Sequence, residues 1–309
     1  MRLSILVPAK DERDNIRPLL DYFKGFVERR HVDWEMIIVD DGSTDGTYEE
    51  LKRLVPEYRN VKYFRHRRNL GVTHALKTAL KHSEAPLVAF FPADLQFTLE
   101  DVERMVSRIE TDGLDLVAGW KLGKYEKKVV SSIYNFLVRM LFGIKIHDMN
   151  SIKVMRREVL ELLPLRKDWH RYIIPWAKEL GFRVGEERVI LRPRMHGVSK
   201  YRGVGRVLVG VFDLISVKFL ITFRRKPMFF FGGLGLASLV LGVLAGVVAL
   251  YLRIFKHFGY RPLLYLVMFL LISGLIFFLM GFLGELVSGL YDIVEGESLL
   301  DYEEDEGDS

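Results

Sequence analysis

Two nearly uncharged runs, Met228 to Leu252 and Leu263 to about Leu283, constrain this chain of 309 residues more than any other feature. Crossing the hydrocarbon of a bilayer takes roughly 20 apolar residues per helix, and a soluble core helix seldom buries such a run on every face. Both runs therefore read as transmembrane helices, and residues 1 to about 225 are left as a charged, soluble-type segment. The chain passes from Met1-Arg2-Leu3-Ser4 straight into polar sequence with no signal peptide, so a cytosolic N-terminal part is expected, with the second span returning the chain to the same side. Lys218, Arg224, Arg225 and Lys226 before the first span balance Arg253, Lys256 and Arg261 in the loop, so orientation rests on the missing signal. The expected organisation is a catalytic segment 1–202, juxtamembrane amphipathic helices 203–226, two spans within 227–290 and a disordered acidic tail 291–309.

With no cysteine in the chain, disulfides, thiolate metal sites and a cysteine nucleophile are excluded. The net charge of +5 conceals an asymmetry, because Glu295 to Ser309 carries eight acidic residues and no basic one, leaving a more basic body. A basic body beside membrane spans suits anionic lipid or phosphate ligands. Nucleic acid is not expected, since no module combines stacking aromatics with a basic groove.

Leu3 to Ala9, Glu35 to Val39, Val61 to Phe64, Leu87 to Phe91 and Leu114 to Trp120 read as strands. Tyr48 to Leu54, Val72 to Lys81 and Leu99 to Ile109 carry apolar residues at helical spacing between them. This alternation predicts an α/β fold with a mostly parallel sheet. Val129 to Phe142 predicts an amphipathic helix that either covers the sheet or lies on the bilayer, and Val204 to Phe223 reads as an interfacial helix before the first span.

Open α/β sheets bind ligands beyond the carboxyl ends of their strands, and two strand ends here deliver acids. Phe90-Phe91-Pro92-Ala93-Asp94-Leu95-Gln96 ends a buried-type strand with a carboxylate and an amide, oxygen donors that suit Mg2+ or Mn2+. Asp40 and Asp41 end the second strand, where a carboxylate can accept hydrogen bonds from a ribose or base, and Gly42 relieves the turn that follows. Asp45 is read as a cap for the helix from Thr47 onward, and Glu12 as a second ribose-binding candidate. Arg192 to Tyr201 gathers Arg192, Arg194, Ser199 and Lys200 on a turn-rich loop suited to phosphate. His196 in that loop has no second histidine at ligand spacing and is not read as a metal ligand.

Together these segments resemble glycosyltransferase family 2, in its polyprenyl-phosphate sugar transferase branch. Val7-Pro8-Ala9-Lys10-Asp11-Glu12 resembles the opening strand and nucleotide loop, Val39 to Thr47 the most recognisable signature, and Asn69-Leu70-Gly71 a further loop. The resemblance covers nearly the whole chain and implies a Rossmann-like fold of GT-A type. It further implies nucleotide contacts at Pro8, Ala9, Glu12, Asp40, Asp41 and Asp94, and a divalent cation, Mg2+ or Mn2+, on Asp94 and Gln96. Asp94 and Asp148 are the implied catalytic positions, and Lys121, Ser132, Arg194, Ser199 and Lys200 the implied contacts to the acceptor phosphate. Two departures stand out: Pro92 takes the place of the first acid of Asp-x-Asp-x-Gln, and Asp148 to Lys153 lacks the usual Ser-Gly-Phe pattern.

The expected reaction moves a hexose, mannose from GDP-mannose or glucose from UDP-glucose, onto dolichyl or undecaprenyl phosphate with inversion at the anomeric carbon. The alternatives are another lipid acceptor, or a nucleotide-sugar-binding subunit weakened at Pro92. Gly242 and Gly246 form a small-xxx-small pattern compatible with a homo-oligomer through the spans.

Overall fold

The computed structural model describes residues 1–122, 136–144, 146–164, 166, 169–193, 204–223 and 226–303. Internal contacts divide the chain into two units, Met1–Val211 and Phe212–Ser309.

The first unit is built on a seven-stranded sheet of order β3-β2-β1-β4-β6-β5-β7. Its strands are β1 Leu3–Ala9, β2 Trp34–Asp40, β3 Val61–Arg65, β4 Leu87–Phe90, β5 Leu116–Leu122, β6 Lys153–Arg156 and β7 Val184–Ile190. The helices of this segment are α1 Arg13–Arg30, α2 Thr47–Leu54, α3 Val72–Lys81, α4 Leu99–Asp112, α5 Arg157–Leu162 and α6 Ile173–Glu179. All strand neighbours are parallel except β6, which runs antiparallel between β4 and β5. The mostly parallel α/β expectation holds, with one reversed strand that local periodicity did not announce.

The unpredicted helix α1 buries Ile16, Leu19, Leu20, Phe23 and Phe26, the three-to-four spacing of a stripe facing the sheet. Pro18 stands inside it as the sixth residue, past the first turn, and cannot donate the amide bond that another residue would make to Asp14 O. With α4 it covers the face formed by Leu3, Ile5, Val7, Met36, Ile38 and Ala89, while α3 packs against β1 and β2. A capping box, Thr98 with Asp101, starts α4 just after the Asp94 turn. Register pairs Ala9 with Asp40 and Leu6 with Phe90, so β1, β2 and β4 end along one edge. Because β6 is reversed, its first residue, Lys153, stands beside Phe90 at that edge.

Residues 136–142, the described part of the predicted Val129–Phe142 helix, are helical; Val138 is buried while Phe136 and Met140 are exposed. Helix α7, Val204–Phe223, is amphipathic in its described part, burying Leu214, Val217 and Ile221 and exposing Phe212, Ile215 and Phe219.

In the second unit, α8 Pro227–Phe255 and α9 Arg261–Glu303 are antiparallel neighbours, and Pro227–Phe255 and Arg261–Leu290 are candidate membrane spans by length and apolarity. Small residues let their backbones meet: a Cβ on Gly235 would lie 2.6 Å from the amide nitrogen of Phe278, and one on Gly274 2.9 Å from the carbonyl oxygen of Gly235. Ser238 Oγ donates to Leu270 O at 2.8 Å, and Glu285 accepts from the Met228 amide at 3.2 Å, where α8 begins. Gly242 and Gly246 face Leu271 and Val267 of the same chain, so the pattern suggested for pairing between chains serves this hairpin. Helix α9 also runs to Glu303, through the first part of the acidic segment that composition assigns to disorder. An established helix extends cheaply into residues such as Glu and Leu, which have high helix propensity.

Candidate active site

Three loops meet at the edge where β1, β2 and β4 end. The loop after β1 is stitched to the loop after β2. Lys10 Nζ donates to Gly42 O at 3.0 Å, the Asp11 amide to Ser43 Oγ at 2.8 Å, and the Glu12 amide to Thr47 Oγ1 at 2.9 Å. Asp11 returns a bond, accepting from the Thr44 amide at 2.9 Å, and takes a positive φ of 49° to do so. Glu12 Oε2 accepts from Asn15 Nδ2 at 2.6 Å. Pro8 and Ala9 lie in β1 opposite Val39 and Asp40.

Asp45 serves two helix starts, accepting from the Thr47 amide at 3.0 Å and the Arg13 amide at 3.1 Å. Partial burial pushes its carboxyl upward, but the bonds from Thr47 and Arg13 more than offset this and hold it below the usual range. The capping role read from sequence is therefore extended to α1.

The paired acids after β2 have different environments. Asp41 is buried and accepts from the Leu70 amide, the Gly71 amide and His66 Nδ1, each at 2.8 Å. His66 Nε2 lies 2.9 Å from Thr78 Oγ1, which continues the tie into α3. Asp41 thus organises the Asn69-Leu70-Gly71 loop. Asp40, fully buried, accepts from the Ser43 amide at 3.1 Å through one oxygen. Its other oxygen has no hydrogen bond among the described residues, although Arg65 Nε stands 3.4 Å away and the Arg65 guanidinium lies over the Tyr48 ring. Gly42 is required here: its φ is +67°, and a Cβ would come within 2.6 Å of the Arg68 carbonyl carbon.

Beyond β4, Asp94 is 9% exposed and the next residue, Leu95, has a positive φ of 55°. A non-glycine residue in that region stores strain, and such positions concentrate at functional sites. Gln96 fixes the turn against the chain after β7: its carbonyl accepts from the Arg192 amide at 2.9 Å and its Nε2 donates to Arg192 O at 3.1 Å. Two oxygen-bearing side chains at one strand end fit a hard cation, which commonly takes one or two protein ligands and fills its shell with water and substrate phosphates. No cluster of three acidic or histidine ligands occurs among the described residues.

Before β6, Asp148 is 3% exposed and accepts from the Asn150 amide at 2.9 Å. Lys121, at the end of β5, stands 3.1 Å from its second oxygen and donates to Asn150 O at 3.1 Å. Two residues assigned separately from sequence are thus one ion pair. Lys153, which sequence reasoning passed over, is the first residue of β6, 1% exposed, and donates to Ser151 O at 3.0 Å. The signal was a lysine inside the apolar run Ile152-Lys153-Val154-Met155. Ser132, Arg194, Ser199 and Lys200 lie outside the described residues, as does His196.

Residues 4–163, more than half of the chain, match glycosyl transferase family 2. The chain belongs to this family. Over 304 residues it is 34% identical to a dodecaprenyl-phosphate galacturonate synthase of Rhizobium johnstonii, with 94% of this chain and 89% of that protein aligned. It is 25% identical to an undecaprenyl-phosphate 4-deoxy-4-formamido-L-arabinose transferase of Pseudomonas syringae, covering 94% of this chain and 87% of the other. The family branch is that of the polyprenyl-phosphate sugar transferases. The fold matches glucosyl-3-phosphoglycerate synthase of Mycobacterium tuberculosis, solved with Mn2+ and uridine diphosphate, at a TM-score of 0.55 and 19% identity over 71% of this chain and 78% of that one. The GT-A type of α/β fold follows.

Proposed function

We propose that this protein transfers a sugar from a nucleoside diphosphate sugar to the phosphate of a polyprenyl lipid, inverting the anomeric carbon. The observation that carries the reading is the edge common to β1, β2, β4 and β6. Acids suited to a nucleotide and a cation, Asp40 and Asp94, leave this edge beside the Asp148–Lys121 ion pair, in a chain that also holds two helices apolar enough for lipid.

Asp40, with Glu12 and the backbone around Pro8 and Ala9, is assigned to the nucleoside. Asp94 and Gln96 would hold a divalent cation, Mg2+ or Mn2+, which neutralises charge on the departing diphosphate when bound. Asp41 is assigned to the loop that shapes this site rather than to direct contact. A phosphate monoester has its second pKa near ~6 and is mostly dianionic at neutral pH, so the nucleophile needs no general base. Asp148 therefore orients the acceptor side of the site, with Lys121, Ser132, Arg194, Ser199 and Lys200 assigned to its phosphate. We place the catalytic segment, residues 1–202, at the cytosolic face of the membrane, with 203–226 along the surface and 227–290 as the anchor. The names of the relatives shift the first choice of donor from mannose or glucose to a UDP-hexuronate such as galacturonate.

The test is incubation of detergent-solubilised full chain with Mg2+ or Mn2+, a short polyprenyl phosphate and labelled UDP-galacturonate, UDP-glucose or GDP-mannose, followed by organic extraction. Label in the lipid phase that disappears in Asp94→Asn supports the proposal and names the donor. Metal-dependent nucleotide binding with no transfer from any donor sinks it. Pro92 motivates the second reading, a binding subunit, and a silent chain switched on by Pro92→Asp would favour that.

A further inference from the structure

Asp148, the acid assigned to the acceptor side, follows a residue that is clamped from the opposite face of the sheet. Trp120 and Lys121 are successive residues of β5 and so project to opposite faces. Lys121 meets Asp148 on one face, and the His147 ring stacks on Trp120 on the other, with ring centres 3.9 Å apart and planes at 9°. Residues 147 and 148 therefore straddle the end of β5. On the Trp120 face the anchor comes from β7. Glu186, opposite Ala118 in register, accepts from the His147 backbone amide through one carboxylate oxygen and from His147 Nδ1 at 2.8 Å through the other. An ionised carboxylate only accepts, so Nδ1 carries the proton of this bond. Arg188, opposite Trp120 in the same register, brings its guanidinium carbon to 5.2 Å from the centre of the Trp120 ring.

The His147 side chain is 45% exposed, yet both its amide and its ring are tied to a carboxylate that is only 14% exposed. Residue 147 cannot turn about its backbone without losing a bond to an ionised acceptor, the stronger kind of hydrogen bond. The other ties on this segment lie at Asp148 and beyond: the Asn150 amide to Asp148, Lys121 to Asn150 O, and the Gly119 amide to Ile152 O at 2.9 Å. Lys121 is itself assigned to the acceptor phosphate, so its hold on Asp148 and Asn150 is shared with the substrate. The Glu186 bonds involve neither Lys121 nor Asp148, and they stay in place whatever Lys121 binds.

We propose that Glu186 is a positioning residue for the acceptor step: by holding residue 147 at both its amide and its ring, it fixes where the Asp148 carboxylate stands across the end of β5. This rests on the polyprenyl-phosphate reading above and extends it to a strand, β7, that supplies none of the groups assigned to the donor or the acceptor. Misplacing a reacting group by about 1 Å can cost ~100-fold. Release of the clasp costs a smaller part of that, about tenfold, because the Asn150 amide and Lys121 still hold Asp148.

The experiment titrates a short polyprenyl phosphate and, separately, UDP into the detergent-solubilised full chain, with transfer measured alongside. Glu186→Ala removes both bonds and should weaken lipid binding about tenfold and raise the lipid KM to match, with UDP affinity and donor KM at wild-type values. Glu186→Gln should recover most of the loss, because its oxygen accepts from the His147 amide and its amino group donates to Nδ1 in the other tautomer. In an Asp148→Ala chain, Glu186→Ala should add less than about twofold, since a residue acting through Asp148 then has nothing to position. Where that chain binds too little lipid to titrate, the separation of lipid from UDP affinity in Glu186→Ala decides. If Glu186→Ala does not fold, His147→Leu, which loses the ring bond and the stack but keeps the amide bond, is held to the same separation at about threefold. Equal losses of lipid and UDP affinity, no loss of either, or the full tenfold added in the Asp148→Ala chain overturns the inference. The expected binding pattern with no transfer from any donor overturns the transferase reading and leaves the inference standing. A wild type that binds UDP but no lipid phosphate overturns the acceptor reading, and the inference with it.

Discussion

Asp41→Asn separates a loop-organising acid from a ligand-binding one. The carboxylate receives three donors, the Leu70 and Gly71 amides on different oxygens and His66 Nδ1 on the same oxygen as Leu70. An asparagine of the same shape offers one acceptor oxygen and one amino group. If the oxygen stays with Leu70 and His66, the amino group meets the Gly71 amide, donor against donor. A buried group left unpaired costs roughly 1–3 kcal/mol, and the remaining two bonds lose the strengthening of a charged acceptor. Leu70 and Gly71 are only half-buried, so water relieves part of the loss. The net cost is about 3 kcal/mol, a large share of the ~5–15 kcal/mol that stabilises a domain. For a domain of 150–250 residues that corresponds to roughly 6–12 °C in Tm. Thermal unfolding of the solubilised chain measures it, with UDP titration alongside. The expected result is a lowered Tm for Asp41→Asn without ligand, whereas Asp40→Asn melts close to wild type and loses nucleotide affinity. An Asp41→Asn protein that melts like wild type yet no longer binds nucleotide would refute the assignment of this carboxylate to the loop.

Three further outcomes follow from the same geometry. Buried His170, its pKa held at about 3, lets the unfolded chain bind a proton first as pH falls below the ordinary histidine value, so its stabilising contribution is present above ~6.5 and lost progressively towards ~3. Urea unfolding at about pH 7.5 and about pH 4.5 should show a steeper loss in wild type than in His170→Phe, and equal slopes would contradict this. Gly42→Ala, whose Cβ meets the Arg68 backbone, should lower nucleotide affinity about tenfold or more by displacing the 66–71 loop, and unchanged UDP titration would count against that coupling. Gly274→Leu should separate α8 from α9 and lower the yield of folded, detergent-stable protein, whereas Gly259→Leu, with nothing within 4 Å of its added Cβ, should not.

Much of the site was legible because strand β2 and the residues leading into Asp94 are short apolar runs that stop at acids, a pattern carried by neighbouring residues alone. Helix α1 was overlooked because the charges of Arg13, Asp14 and Arg17, together with Pro18, mask its stripe of Ile16, Leu19, Leu20, Phe23 and Phe26. The reversed strand β6 was overlooked because four residues, Lys153–Arg156, carry too little periodicity to register. Capping by Asp45 was readable from its distance to Thr47; its bond to Arg13 was not, since those residues lie far apart in sequence.

What the sequence by itself determined is therefore local: which segments are apolar enough to be strands or candidate spans, where acids follow them, and, through its motifs, the family. What only the tertiary structure decided is which partner each side chain meets. Asp40 and Asp41 are adjacent and chemically identical, and the loop at residues 66–71 closing over one of them makes their environments different. Lys121 and Asp148 meet, and Lys153 stands between Phe90 and Ala118, because β6 inserts antiparallel between β4 and β5. Hydrogen bonds and charge interactions depend on distances of a few ångströms, which separation along the chain does not encode and strand order does.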